Sequence, residues 1–423
     1  MSESTTRYSL PALPTEVWER VIDWLVVGYT PDSNRVYQND IDLRRDLSRC
    51  ALVCRAWRVR AQMHLFAFLR ITGNGLSQYE TLILKTPVLC TFAKELNFHN
   101  QHVDSPQNKI VDKTIETASH AVRIAHKLFN VQDLIVTTIN LAIEHPHLPR
   151  QFAALTNINK LDFYTPTPTK LPQLARILLG LKSLSILYLR VPIIADSNPL
   201  PLPTPCYATK SSLTRLDLVI QPGGHLLVDW LVKAKSFTTS LQILYVELED
   251  QIPQSEISLV LQGVQILLDN CTGSLKEWDF LAKIQVDDLS SVPEGNVDLK
   301  FDLHALMLVL VSLGSHKSLS KLDLRVPKAW LRHPLEQVKS ITSKHITEIQ
   351  FWYWLGEEEE PSSEVWKDLD VMLSTDVFKP LISVDVACVF RDSNYAWYDV
   401  DNFDKSEFPV LLPNVSKKGI LKY

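Results

Sequence analysis

The chain has 423 residues, of which 46% are apolar and 22% charged, and a formal net charge of −5. That length fits about three domains, or one long repeat array carrying a small module. With 43 basic against 48 acidic residues, the balance argues against a nucleic-acid or membrane surface, because a phosphate-binding face needs clustered Lys and Arg. Cys50, Cys54, Cys90, Cys206, Cys271 and Cys388 are too scattered for a disulfide framework. Cys50 and Cys54 lack the second pair that a structural zinc site needs, so all six read as free thiols in a reducing compartment. The N-terminus is polar, with no hydrophobic signal core. The longest strongly apolar run, residues 305–313, is too short to span a bilayer and suits a buried core helix. The expectation is an intracellular protein, cytoplasmic and/or nuclear.

Residues 1–9 read as a polar tail. Pro14 then suits the first turn of a helix, where its missing N–H costs nothing. Val17, Val21 and Leu25 recur every four residues, with Trp18 and Ile22 as an adjoining stripe. Gly28, Pro31, Asp32, Ser33 and Asn34 carry turn chemistry, and residues 26–45 read as a long loop. Asp46 is the expected N-cap of a second helix, on which Leu47, Cys50, Cys54 and Trp57 fall at helical spacing. A third helical stretch runs through Val59, Met63, Leu65, Phe66 and Phe68. Three helices this short cannot bury all these apolar groups among themselves. The surplus marks a partner surface, or is covered by the following domain.

In this first segment, Leu13-Pro14, Glu16, Val17, Val21 and Leu25, followed by Asp46-Leu47, Ala51-Leu52-Val53-Cys54 and Arg55-x-Trp57, resemble the F-box motif in the same order. The resemblance covers residues 10–70, about one-seventh of the chain. It departs from the family at residues 26–45, where the halves are usually joined by only a few residues. A loop of that length costs little stability but could alter the docking face. The resemblance implies binding to a Skp-family adaptor, and through it to a cullin ubiquitin ligase. It implies Leu13, Pro14, Val17, Val21, Leu25, Leu47, Val53, Cys54 and Trp57 as the adaptor-binding residues.

From residue 71 to 423 the pattern Leu-x-x-Leu-x-Leu returns. It is clear at Leu184/Leu187/Leu189, Leu213/Leu216/Leu218 and Leu319/Leu322/Leu324. Looser versions are centred on Leu161, Leu244, Trp278 and Ile349, and faint ones on Leu96 and Leu134. The early steps are roughly 27 residues, within the range of leucine-rich repeats. Helix-like stretches lie between, at 171–180, 226–235, 255–270 and 303–313. The fold expected is α/β: a small three-helix module, then an irregular leucine-rich-repeat solenoid with a parallel sheet and outer helices. As a whole the chain resembles fungal F-box proteins.

The Asn or Cys that usually follows the last motif leucine is replaced by Gln101, Pro166, Pro192, Gln221, Glu249 and Pro327, so no polar ladder is expected there. Residues 192–205 are Pro-rich and read as an extended surface loop. The aromatic residues Tyr395, Trp397, Tyr398, Phe403 and Phe408 read as a C-terminal cap, which repeat arrays need.

Strand alternation sends the middle residue of Leu-x-Leu away from the core. Aligned, these residues are Asn97, Ile135, Asp162, Tyr188, Asp217, Tyr245, Asp279, Asp323 and Gln350. Two positions on come His99, Thr137, Tyr164, Arg190, Val219, Glu247, Leu281, Arg325 and Trp352. Asp162, Tyr188, Asp217, Tyr245, Asp279, Asp323, Arg190, Arg325 and Trp352 form a candidate substrate face that suits a basic or peptide-like partner. The alternative is a solvated face with no ligand, or one lined by the chain's own loops. Burial of Asp162, Asp217 and Asp323, or their placement on separate faces, would count against the alignment.

Catalytic signals are missing. Gly73-Asn74-Gly75 is too short for a dinucleotide loop, and neither a phosphate loop nor a Ser nucleophile elbow is present. His99-x-x-His102 and His145-Pro146-His147 have no carboxylate or cysteine companions, so no metal is expected. Glu357 to Glu360 read as a solvated loop, and Phe351-Trp352-Tyr353-Trp354 as a final strand. The expected protein is a non-catalytic, cofactor-free substrate receptor of an SCF-type ligase, bound to adaptor, cullin and an unidentified target. The alternative is an adaptor-binding scaffold outside ubiquitin transfer.

Overall fold

The computed structural model describes residues 14–27, 36–72, 76–99, 124, 127–137, 155–165, 168–194, 213–234, 239–249, 251–282, 313–327, 338–355, 363–391, 397–399 and 408–422. The 303–313 helix is outside this set except for Leu313, as are Tyr395, Phe403, Leu13 and residues 357–360.

The chain opens with three helices: α1 (Thr15–Val27), α2 (Val36–Val53) and α3 (Arg55–Ala67). Much of the expected 26–45 loop is therefore helical, and only residues 28–35 fall outside the described chain. Asp46 is not an N-cap. It lies inside α2, where its carboxylate meets Arg49 and Arg45. The break comes instead at Cys54, whose extended backbone separates α2 from α3 and puts Trp57 on the third helix. Ile22, Leu47 and Ala61 form the small buried centre, and Trp18 packs on Trp57 with ring centroids 4.8 Å apart.

A polar brace holds α1 against α3. Asp23 takes two bonds from the Arg60 guanidinium, one of them Nε to Oδ1 at 2.7 Å, while Oδ1 also lies 2.7 Å from His64 Nε2. The Arg60 hydrogen bonds outweigh the opposing effect of burial and, with His64, lower the Asp23 carboxyl to about 2.

The final residue of α3, Ala67, is followed directly by β1 (Phe68–Thr72), which crosses the expected module boundary at residue 70. Arg44 of α2 donates to the Phe68 carbonyl at 2.8 Å, tying the bundle to the first strand. Beyond it come α4 (Leu76–Lys85), a 3-10 turn (Pro87–Thr91), β2 (Glu95–His99), β3 (Asp133–Thr137) and β4 (Lys160–Tyr164). The short β5 (Thr169–Lys170), α5 (Leu171–Gly180), β6 (Ile186–Val191), the short β7 (Ile193–Ile194) and β8 (Arg215–Ile220) follow. Next are α6 (Gly224–Lys233), β9 (Ile243–Leu248), α7 (Gln254–Asn270), β10 (Glu277–Ala282), β11 (Lys321–Pro327) and β12 (Glu348–Leu355). The chain closes with α8 (Ser363–Leu373), β13 (Ser383–Arg391), β14 (Trp397–Asp399), α9 (Phe408–Leu411), α10 (Pro413–Lys417) and β15 (Leu421–Lys422).

The main sheet runs β1-β2-β3-β4-β6-β8-β9-β10-β11-β12-β13-β14, with β15 beside β13. Every pair from β1 to β13 is parallel, and β14 is antiparallel. This is a mixed α/β chain with a long parallel sheet in sequence order. The motif leucines form its core: Leu96, Leu134, Leu161, Leu187, Leu216, Leu244, Trp278, Leu322 and Ile349 stack in register and are buried. The apolar faces of α5, α6 and α7 cover them through residues such as Leu174, Ile177, Val228, Leu231, Val264 and Leu267.

Residues 351–354 do not end the sheet, because β13 adds a further parallel strand. The Pro-rich segment is not wholly loop either: β7 at its start pairs with β5. Gly223, at φ +77, turns the chain into α6 where an added Cβ would lie 2.0 Å from the Ile193 carbonyl oxygen.

A polar ladder does exist, at the opposite end of the strands from where the sequence lacks one. Just before each strand, backbone N–H groups bond to the preceding turn: Ser185 to Asn159, Thr214 to Ser185, Gln242 to Thr214, Lys276 to Gln242, Ser320 to Lys276 and Thr347 to Ser320. The hydroxyls of Ser185, Thr214, Ser320 and Thr347 donate to those same carbonyls. Asn130, Asn157 and Ser183 form a second column, bonded to the carbonyls of Thr91, Phe129 and Thr156. The turns thus satisfy their polar groups without asparagine at the usual position.

The last turn is fastened by buried Asp370 of α8. It accepts from the backbone N–H groups of Asn414 and Val415 and from the Asn414 amide. Among the described residues, no helix is long and apolar enough to cross a membrane.

Candidate functional site

Two surfaces stand out. The first is on the helical bundle. On α1, Val17, Val21 and Trp24 fall at i, i+4 and i+7, and all three project from the protein, Trp24 with 76% of its surface exposed. With Arg20 and Leu25 they line a shallow groove of about 450 Å³. Leu52 and Val53 at the end of α2, and Val59 on α3, are also exposed, Leu52 at 81%. The opposite stripe, Trp18 and Ile22, turns inward.

The nine residues expected at an adaptor face divide. Pro14, Val17, Val21, Val53 and Cys54 are exposed, while Leu25 and Trp57 are half-buried. Leu13 lies outside the described residues. Leu47 is 2% exposed and belongs to the bundle core, so it cannot be reached by a partner. Trp24, Leu52 and Val59 were missed as exposed groups, though the i, i+4, i+7 spacing from Val17 to Trp24 carries the signal for Trp24.

The second surface is the sheet face turned away from the helices. Its middle row pairs as the alignment has it: Asn97, Ile135, Asp162, Tyr188, Asp217, Tyr245, Asp279, Asp323 and Gln350 are successive Cα partners. The next row, from His99 through Arg190 and Arg325 to Trp352, is equally in register. Arg70 and Asp385 extend the middle row to β1 and β13.

The face is less open than a solvated sheet. Asp217 is 7% exposed and Asp323 4%, while Asp162 is half-buried. Burial of these residues was the outcome set against the alignment, yet all three share one face and one row. Neighbours on that same face pair with the two buried acids. Arg215 Nε and Nη2 meet the Asp217 carboxylate at 3.0 and 2.9 Å, and Arg325 Nη2 lies 2.8 Å from Asp323 Oδ2. Arg190 pairs with Glu249 at 2.9 Å, and the Tyr245 hydroxyl donates to Glu247.

Aromatic rings carry cations across the rows. Lys160 and Arg215 sit 5.5 and 5.3 Å from the Tyr188 centroid, Arg190 sits 5.0 Å from Tyr164, and Arg325 sits 4.9 Å from Trp352. Burial pushes the Asp162 and Asp217 carboxyls up, against the pull of Lys160 on the first and of Arg215 on the second. The Tyr245 hydroxyl is raised by burial and by the Glu247 charge beside it. The face thus sets acidic, basic and aromatic side chains next to one another. No protein-family model matches the chain, and no curated protein matches it.

Proposed function

We propose that this chain is an F-box substrate-recruiting subunit of an SCF-type ubiquitin ligase, with the helical bundle as the adaptor-binding module and the sheet as a degenerate leucine-rich-repeat solenoid that holds a target. The observation that carries the reading is the exposed apolar set Val17, Val21, Trp24, Leu52, Val53 and Val59 on a bundle that also bears the Leu13-Pro14 to Arg55-x-Trp57 pattern. Large apolar groups left in water on a small bundle favour a permanent partner. The in-order parallel strands with helices on the other face support the repeat reading.

The mechanism is proximity. Adaptor and cullin bring a charged ubiquitin-conjugating enzyme, and the sheet face keeps the target beside it at high effective concentration. The chain supplies no reacting group. The test is co-purification of the full chain with a Skp-family adaptor and cullin. Both are expected with the intact protein, and adaptor recovery is expected to fall at least about tenfold in Trp24→Asp and in the Leu13→Ala, Pro14→Ala double variant. Absence of adaptor from the intact protein rejects the reading. Adaptor without cullin points to a scaffold outside ubiquitin transfer.

A further inference from the structure

Along the central strands, three acids on the outward face are answered from within the chain: Asp217 by Arg215, Glu247 by the Tyr245 hydroxyl and Asp323 by Arg325. Asp279 on β10 is different. Its Oδ1 is closed off from solvent and takes no hydrogen bond. Its Oδ2 lies 3.7 Å from Arg325 Nη2, the nitrogen that sits 2.8 Å from Asp323 Oδ2. Asp279 and Asp323 are direct partners across β10 and β11, so two carboxylates share one guanidinium, and Lys321, the other cation that acts on Asp279, makes no ion pair with it. From β4 to β13 every charged member of the middle row is acidic: Asp162, Asp217, Asp279, Asp323 and Asp385.

We propose that the recruited protein presents a lysine or arginine side chain to Asp279, on the sheet face between Tyr245 and Asp323. This rests on the reading of that face as the target-binding surface. Charge complementarity selects a cation, because the charged members of the middle row from β4 to β13 are all acidic and repel an acidic side chain. The stacking of Arg325 on Trp352 shows that the face accommodates a guanidinium against an aromatic ring. The Asp279 side chain keeps about a quarter of its surface open, and an incoming cation meets the carboxylate from that open side.

The site also couples to protons. Tyr245 and Glu247 face Asp279 from β9, Lys321, Asp323 and Arg325 from β11, and Asp217 from β8, with Glu277 on the same strand. Burial first, and then the Asp323 charge, push the Asp279 carboxyl up to about 7, against the pull of Arg325 and Lys321. A bound cation favours the ionised carboxylate and expels its proton. Affinity therefore rises as pH rises through about 7.

The test is fluorescence anisotropy of the full chain with a short fluorescein-labelled peptide of repeating Gly-Ser-Lys, beside a version with norleucine for lysine. Asp279→Asn is expected to weaken binding about tenfold and to remove the gain in affinity between about pH 6 and about pH 8. Asp133→Asn removes the same charge elsewhere on the face and is expected to change binding by about twofold or less. Because Asp279→Asn removes an acid whose ionised form is disfavoured by burial, this variant keeps or raises the thermal midpoint at about pH 8, so weaker binding is not misfolding.

Equal losses in the two variants mean that only the general negative field attracts the peptide, and the proposal fails. It fails also if the lysine peptide does not bind or if Asp279→Asn binds as the parent does. Adaptor recovery, scored separately with Trp24→Asp, shows whether the ligase reading itself stands.

Discussion

Leu52 in the helical bundle keeps 81% of its surface in water, while Leu216 in the sheet keeps none. Both lie in apolar patterns of similar strength in the sequence. The bundle has three short helices and a centre of few side chains, and it holds α1 to α3 with a charged brace, Asp23 to Arg60 and His64. The sheet stacks its leucines strand upon strand and closes its turns with backbone and hydroxyl bonds. One region buries its apolar surface internally and the other leaves much of it in water, so leucines of similar sequence context end in opposite surroundings.

Matched truncations probe that contrast most directly. Leu216→Ala is expected to cost about 3 kcal/mol, since it opens a cavity in a packed row. Leu52→Ala is expected to cost less than about 0.5 kcal/mol, since nothing collapses around it. Urea unfolding followed by circular dichroism compares the two, and similar losses would erase the distinction between the regions.

A smaller effect falls on the brace. Asp23→Ala is expected to cost about 1–2 kcal/mol, discounted because both partners are about one-third exposed. The Asp23 carboxyl is held at about 2, below its ordinary 3.8, by Arg60 and His64. Its contribution is therefore complete above about pH 4 and is lost as pH falls through about 2. The packed Trp18–Trp57 pair contributes to the near-ultraviolet circular dichroism, so the difference between the parent and Trp18→Phe follows the bundle, and in Asp23→Ala this acid step should vanish.

The smallest change is expected in the turn ladder. Ser185→Ala removes a hydroxyl bond to the Asn159 carbonyl but leaves the Ser185 backbone N–H bonded to that same oxygen. The loss should be about 0.5–1 kcal/mol. Thr214→Ala should match it, and differential scanning calorimetry of the pair against their double variant measures whether the ladder is cooperative.

Much of the sheet was legible because its signal is local and repeated. Leu184, Leu187 and Leu189 state the period, and the same spacing elsewhere predicts which residues stand side by side. Two strands were missed although they carry the pattern. Phe66 and Leu69 were absorbed into the helical segment, which cut them off from Ile71, and Leu381, Val384 and Val386 followed an aromatic strand taken as the last. In the bundle, Gly28 to Asn34 carried loop chemistry into a region where α2 starts at Val36. Turn residues mark where a chain can bend but not how soon the next helix begins. Leu47 and Val53 share the same apolar character, and only packing makes the first core and the second surface.

The acidic row shows the same limit at the candidate site. Its membership and register follow from strand alternation, which is a property of the backbone. That Asp217 and Asp323 are each shut in beside an arginine while Asp279 lacks a full partner depends on which side chains the neighbouring strands bring alongside. Spacing along the chain was enough to set the alternation of strand faces, the stack of leucines and the apolar helices at the N-terminus. Which apolar groups meet water, and which carboxylate lacks a close ion-pair partner, emerged only once the chain was folded, because burial and ion pairing depend on neighbours that lie far apart in sequence.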